Sequence, residues 1–184
     1  MRLFVAVDMS DEVRENIYTL HNILKSFRGL KPVEKENIHI TLKFLGEVPD
    51  QRVEVVKERL AEVKMEPFRM HLKGIGFFPS ARHIRVIWVG VEEGNEEISR
   101  LAEMVENAMK KLGFKRDKRF VAHATIARVK NISPADKKKL LNELEPYMNG
   151  DFGWMDVKDF RLKKSTLTPS GPIYSDLAVY SLED

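Results

Sequence analysis

Two tetrapeptides constrain this chain more than any other feature: His39-Ile40-Thr41-Leu42 and His123-Ala124-Thr125-Ile126, which lie 84 residues apart (123 − 39). Each occupies the same place in a repeated pattern. Arg2 to Asp8 is a β-rich run, Ser10 is placed to N-cap a helix carrying Val13, Ile17, Leu20 and Leu24, and Ile38 to Phe44 alternates as a half-buried strand. A helix with Val53, Val56, Leu60 and Val63 and a strand from Phe68 to Gly74 complete the first unit. The order then recurs. It runs through a strand from Arg85 to Val91, a helix led by Asn95 and ended by Gly113, and an extended run from Phe120 to Val129. A helix with Ser133 as N-cap and Pro134 at its first position, then a strand from Val157 to Lys163, close the second unit. The spacing of Arg2 and Arg85 is nearly that of the two histidines, so internal duplication is the simplest reading.

Strand-helix-strand-helix-strand written twice predicts an α+β fold of two pseudo-symmetric lobes. Each is expected to be a mainly antiparallel sheet with helices on its outer face, the uncovered faces meeting across a central cleft. With 184 residues, 43% of them hydrophobic, the chain reads as a single bilobal domain over 1–184. The duplicated units fall at roughly 1–80 and 81–164, and a C-terminal hairpin over 165–184 turns at Pro169-Ser170-Gly171-Pro172. The absence of cysteine removes disulfides, thiolate nucleophiles and zinc ribbons from consideration and points to the cytoplasm. Apolar runs fall far short of the ~20 residues of a membrane span, and the first residues do not read as a signal peptide. The net charge is only +3, but Lys110, Lys111, Lys115, Arg116, Lys118 and Arg119 cluster against the single Asp117, a density suited to a polyanion such as RNA or to a solvated helix end.

Residues two apart on a strand point the same way, so each motif sets an imidazole beside a hydroxyl. In the first strand Ile38, Ile40, Leu42 and Phe44 form an apolar face, which assigns His39, Thr41 and Lys43 to the other. A single His-x-Thr is a weak signal, and His21, His71 and His83, without matching partners, read as ordinary surface or hydrogen-bonded residues. Duplication makes a symmetric two-histidine site the better reading. Near neutrality one imidazole can accept a proton while the other donates one, and Thr41 and Thr125 can hydrogen-bond the nonbridging oxygens of a phosphate held between them. Arg128, five residues beyond His123, adds a bidentate cation. Such a set suits in-line attack at a phosphodiester. A zinc site is the competing reading, but neither motif brings a carboxylate at ligand spacing, and Gly74-Ile75-Gly76-Phe77-Phe78-Pro79 is not a nucleotide-binding glycine loop. Further candidates for the cleft are Ser165 and Thr166, with Phe77 and Phe78 as base-stacking surfaces or a core plug.

The chain resembles the 2H phosphoesterase superfamily, and within it the RNA 2′,3′-cyclic phosphodiesterases, also called 2′-5′ RNA ligases. The resemblance runs from Arg2-Leu3-Phe4-Val5-Ala6-Val7 through Asn37 to Gly46, Gly74 to Pro79, Val86 to Gly90 and Ala122 to Arg128, ending at Ser165-Thr166-Leu167 and Gly171-Pro172-Ile173-Tyr174. Ala122 stands where relatives often carry Pro. The resemblance implies hydrolysis of an RNA 2′,3′-cyclic phosphate to a 2′-phosphate, with His39 as proton donor to O3′ and His123 as the base, Thr41 and Thr125 assisting. It further implies ATP-independent 2′-5′ ligation when a 5′-hydroxyl replaces water, RNA ends such as tRNA halves as substrates, no metal or other cofactor, no membrane partner, and a monomer. From the residues alone the two histidine roles stay open, as do an RNA-end binding module without turnover and a phosphodiesterase for small cyclic nucleotides.

Overall fold

The structure is a computed structural model that describes residues 1–117 and 119–183, so Lys118 of the basic cluster lies outside the described residues. The strands are β1 (Arg2–Asp8), β2 (Leu30–Pro32), β3 (His39–Glu47), β4 (Phe68–Pro79), β5 (Ile84–Val91), β6 (His123–Val129), β7 (Asp151–Val157), β8 (Asp159–Thr168) and β9 (Gly171–Ser181). The helices are α1 (Asp11–Tyr18), α2 (His21–Lys25), α3 (Val53–Leu60), α4 (Asn95–Lys110) and α5 (Pro134–Leu144). All strand pairs are antiparallel, in the order β7-β4-β5-β6-β3-β1-β8-β9 with β2 beside β6. β3 and β6 meet through one register pair, Ile40 with Ala124, and there the sheet divides into the two expected lobes. β1 pairs with β3 of its own unit and with β8, while β5 pairs with β6 and with β4. The last strand of each sequence unit therefore completes the lobe of the other. α4 packs on β3 and α3 on α4; α1 lies on β7, and α2 joins β2 to α5. No helix among the described residues is long and apolar enough to cross a membrane.

Both serines read as N-caps from the sequence cap their helices as expected. Ser10 accepts the Val13 N–H at 3.2 Å, and Ser133 accepts the Asp136 N–H at 3.1 Å with Pro134 in the first turn. The run from Ser10 to Leu24 is two helices rather than one. Thr19 donates its hydroxyl to the Asn16 carbonyl at 2.6 Å and the Leu20 N–H reaches Ile17 O, a tight turn that separates α1 from α2 yet keeps Leu20 and Leu24 buried. Periodicity overlooks two strands. β2 spans only three residues, and in β7 the residue at Gly153 takes φ +105°, which breaks the alternation around Phe152 and Met155. β4 also continues through Gly74 to Pro79, beyond the end expected at Gly74, because β5 pairs along that stretch.

The main correction concerns β3. Its register with β1 steps from Ala6 opposite Thr41 to Val5 opposite Lys43, passing over Leu42. One extra residue inverts the two-residue alternation from that point. Phe44, expected in the core, is 63% exposed, and Lys43, expected on the cleft face, is only 2% exposed. The Lys43 ammonium lies 3.0 Å from Glu106 Oε1 and 3.4 Å from Asp117 Oδ2, and donates to the Lys115 carbonyl at 2.8 Å. It joins β3 to α4 and to the segment after α4 instead of reaching toward a substrate. Lys43→Met strands the buried Glu106 carboxylate and should lower unfolding stability by about 3 kcal/mol in urea titrations, while adding Glu106→Leu should recover most of that loss. A single-variant loss below about 0.5 kcal/mol, the range of an exposed ion pair, would contradict the assignment.

Candidate active site

Antiparallel register through Ile40 and Ala124 sets His39 alongside Thr125 and Thr41 alongside His123. The two central residues are fully buried. Their neighbours on either side must then project to the opposite face, and all four line one cleft of about 710 Å³. The seam therefore assembles, from two separate motifs, the set that the sequence placed together.

Both rings are held the same way. His39 Nδ1 is 2.7 Å from the Asn37 carbonyl, and His123 Nδ1 is 2.7 Å from the Val121 carbonyl, in each case two residues earlier. A carbonyl only accepts, so each Nδ1 carries the hydrogen and Nε2 is left as the atom that gains and loses a proton. His39 Nε2 lies 2.9 Å from Thr41 Oγ1, which donates to it while the ring is neutral. Aromatic rings flank each imidazole: Phe4 at 5.2 Å and Tyr174 at 5.4 Å from His39, Phe78 at 4.9 Å and Trp88 at 6.0 Å from His123. Trp88 and Phe4 keep the same 84-residue offset as the histidines (88 − 4), a signal in the sequence by which both could have been found. Gly76 belongs to this wall: a Cβ there would sit 2.1 Å from the Trp88 ring and displace the indole.

Burial pushes His39 down to about 4; the Asn37 bond and Asp8 oppose the shift, and Lys163 and Arg14 add to it. Burial likewise holds His123 below its ordinary value, helped by the charge of Arg128. Without a bound anion both rings are neutral near pH 7. Arg128 is exposed on β6, opposite Lys31 of β2, and lines the cleft with Lys31 and Arg2. None of these three cations forms an ion pair with another described residue. An anion entering the cleft meets three cations against the single carboxylate of Glu34, and two neutral imidazoles.

Ser165 and Phe78 line the cleft, whereas Phe77 packs toward the core and Thr166 lies outside the lining. Tyr174 and Asn37, which the strand pattern did not single out, line it as well, and so does Phe44, which that pattern assigned to the core. His21 stacks on Tyr18, His71 stacks on Trp154 and bonds Asp151 at 2.9 Å, and His83 accepts from Arg85, all outside the cleft as read from the sequence. Among the described residues no three His, Cys, Asp or Glu side chains are grouped to share a metal ion. In the basic cluster Arg116 pairs with Glu103.

The family of LigT-like phosphoesterases matches this chain twice, over residues 7–88 and 89–174, in keeping with the duplicated fold. The RNA 2′,3′-cyclic phosphodiesterase of Archaeoglobus fulgidus is 48% identical over 180 residues, covering 98% of this chain and 99% of that protein. Its counterpart from Methanocaldococcus jannaschii is 41% identical over 174 residues, covering 95% and 96%. The crystal structure of TT0787 from Thermus thermophilus superposes with a TM-score of 0.81 at 34% identity, covering 99% of this chain and 98% of that one. With two copies of the motif at one seam and near full-length likeness on both measures, this chain belongs to the LigT-like 2H phosphoesterases, in the RNA 2′,3′-cyclic phosphodiesterase family.

Proposed function

We propose that this protein opens the 2′,3′-cyclic phosphate at the end of an RNA and leaves a 2′-phosphate, using its two histidines as acid and base. The observation that carries this reading is the pair of imidazoles in one cleft, each with Nδ1 tied to a carbonyl and Nε2 left to exchange a proton. The substrate class follows the names of the relatives from Archaeoglobus fulgidus and Methanocaldococcus jannaschii. Water attacks phosphorus and gives its proton to His123 Nε2 as the P–O3′ bond breaks. O3′ takes the proton of His39 Nε2, so the phosphate stays on O2′. The cycle closes when His39 regains a proton and His123 loses one. Which histidine donates rests on the family resemblance, because each ring is tied to a carbonyl through Nδ1 and offers Nε2 for proton exchange.

Thr41 and Thr125 donate to the nonbridging oxygens, where negative charge grows during displacement. Thr41 is free to turn to phosphate once His39 is protonated and no longer accepts its hydrogen. Arg128, with Arg2 and Lys31, supplies the field that holds the anion, and the phosphate so held offsets the repulsion by which Arg128 disfavours a charged His123. When a 5′-hydroxyl takes the place of water, the same bond changes give a 2′-5′ linkage, the strained cyclic ester supplying the free energy in place of ATP.

His39→Ala and His123→Ala should each lower kcat about 10²- to 10⁴-fold on a short RNA ending in a cyclic phosphate, in EDTA, with the melting transition preserved. Thr41→Val and Thr125→Val should cost about 10²-fold. Near-normal turnover in both histidine variants, or a 3′-phosphate product, would overturn the reading, and a mononucleotide cyclic phosphate that outperforms the RNA would favour a small-nucleotide enzyme. The pH profile follows from the lowered pKa values. Free enzyme must carry one charged and one neutral ring, so kcat/KM should peak on the acid side of pH 6.5, the ordinary histidine value. Bound phosphate stabilises the imidazolium, so the alkaline limb of kcat should lie at higher pH than that of kcat/KM. A kcat/KM maximum above about pH 8 would contradict the two-imidazole assignment.

A further inference from the structure

A second cavity, of about 380 Å³, opens beside the cleft, within the size range of small-molecule sites. Thr41, Phe44 and His123 line both spaces, whereas His39 lines only the cleft. The second cavity therefore lies on the His123 side of the reaction centre. In an in-line displacement the attacking group enters opposite the leaving group, and so on the side of the base. A water molecule has no use for a space of this size; a hydroxyl carried by a nucleoside does.

The charges of its wall point the same way. Lys43 faces two carboxylates, Glu106 and Asp117, and Arg116 pairs with Glu103, so neither cation is free for a ligand. Arg119 is exposed and forms no ion pair with another described residue, so it is the cation left to meet an anion there. Phe44, turned outward by the β3 bulge, offers an exposed ring where the two spaces meet. Thus the inverted alternation that buries Lys43 is also what places an aromatic face at this junction.

We propose that this second cavity holds the 5′-hydroxyl terminal nucleotide of an incoming RNA strand, with Arg119 on that strand's first phosphodiester and O5′ presented to His123. The inference rests on the ligation reading above. In the step, O5′–H gives its proton to His123 Nε2, the O5′–P bond forms and P–O3′ breaks. O3′ takes the proton of His39, and phosphorus stays on O2′.

The test places an RNA ending in a 2′,3′-cyclic phosphate and a second RNA with a 5′-hydroxyl in one reaction, and measures joined and hydrolysed product together. Arg119→Ala should lower the ratio of joined to hydrolysed product at least tenfold and raise the KM for the 5′-hydroxyl strand. Arg119→Glu should lower the ratio further, and Arg119→Lys should restore part of it. An unchanged ratio in all three variants, or an equal fall in both products, would overturn the acceptor site while leaving the ligation reading intact. No joined product from the unaltered protein at saturating acceptor would overturn both.

Discussion

The pairing of β3 with β6 through Ile40 and Ala124 is the contact on which the rest of this molecule depends. It is a single register pair, yet it decides which way six side chains point. The two central residues go into the core, and the four flanking ones, two imidazoles and two hydroxyls, go into the cleft. A slip of one residue would bury all four polar groups and expose the apolar pair, so the register is strongly specified by burial alone. The seam does not stand by itself. Because β4 completes the lobe of the second unit and β8 that of the first, each lobe is covalently tied to the other, and relative sliding would disturb several ladders at once.

Positive charge in this fold is unevenly compensated. Behind His39, Lys163 meets Asp8 at 3.1 Å and Asp176 at 2.7 Å, and Arg161 meets Asp176 at 2.7 Å, a network that neutralises itself. In the cleft, Arg2, Lys31 and Arg128 have no such partners among the described residues. The free energy of bringing a phosphate in is therefore not used up on internal ion pairs. In the proposed reaction the same phosphate offsets the cost of charging a buried imidazole, which makes substrate binding and activation of the acid one electrostatic event.

Much of this was legible in the sequence because it depends on local pattern and repetition. The helix caps at Ser10 and Ser133, the alternation around His39 and the 84-residue offset of the motifs all carry into the structure. What was not legible depends on a partner strand. The bulge at Leu42 exists only in the register with β1, and it exchanges the places of Lys43 and Phe44. The exchange of β4 and β8 between lobes is likewise invisible to periodicity, since either pairing buries the same apolar faces. Asn37 shows the limit well. Its carbonyl orients His39 while its side-chain amide donates to the Pro172 carbonyl of the β8–β9 hairpin at 3.2 Å, a link across 135 residues that no local signal encodes.

The most direct measurement of the central claim is ¹⁵N NMR of the five histidines, in the free protein and with a bound nucleoside 2′-monophosphate, across pH. The account predicts that His39 and His123 are both neutral at pH 7 when free, both with the hydrogen on Nδ1, and that the bound phosphate raises the pKa of each. A hydrogen on Nε2 in either neutral ring, or no response of either ring to the phosphate, would contradict it.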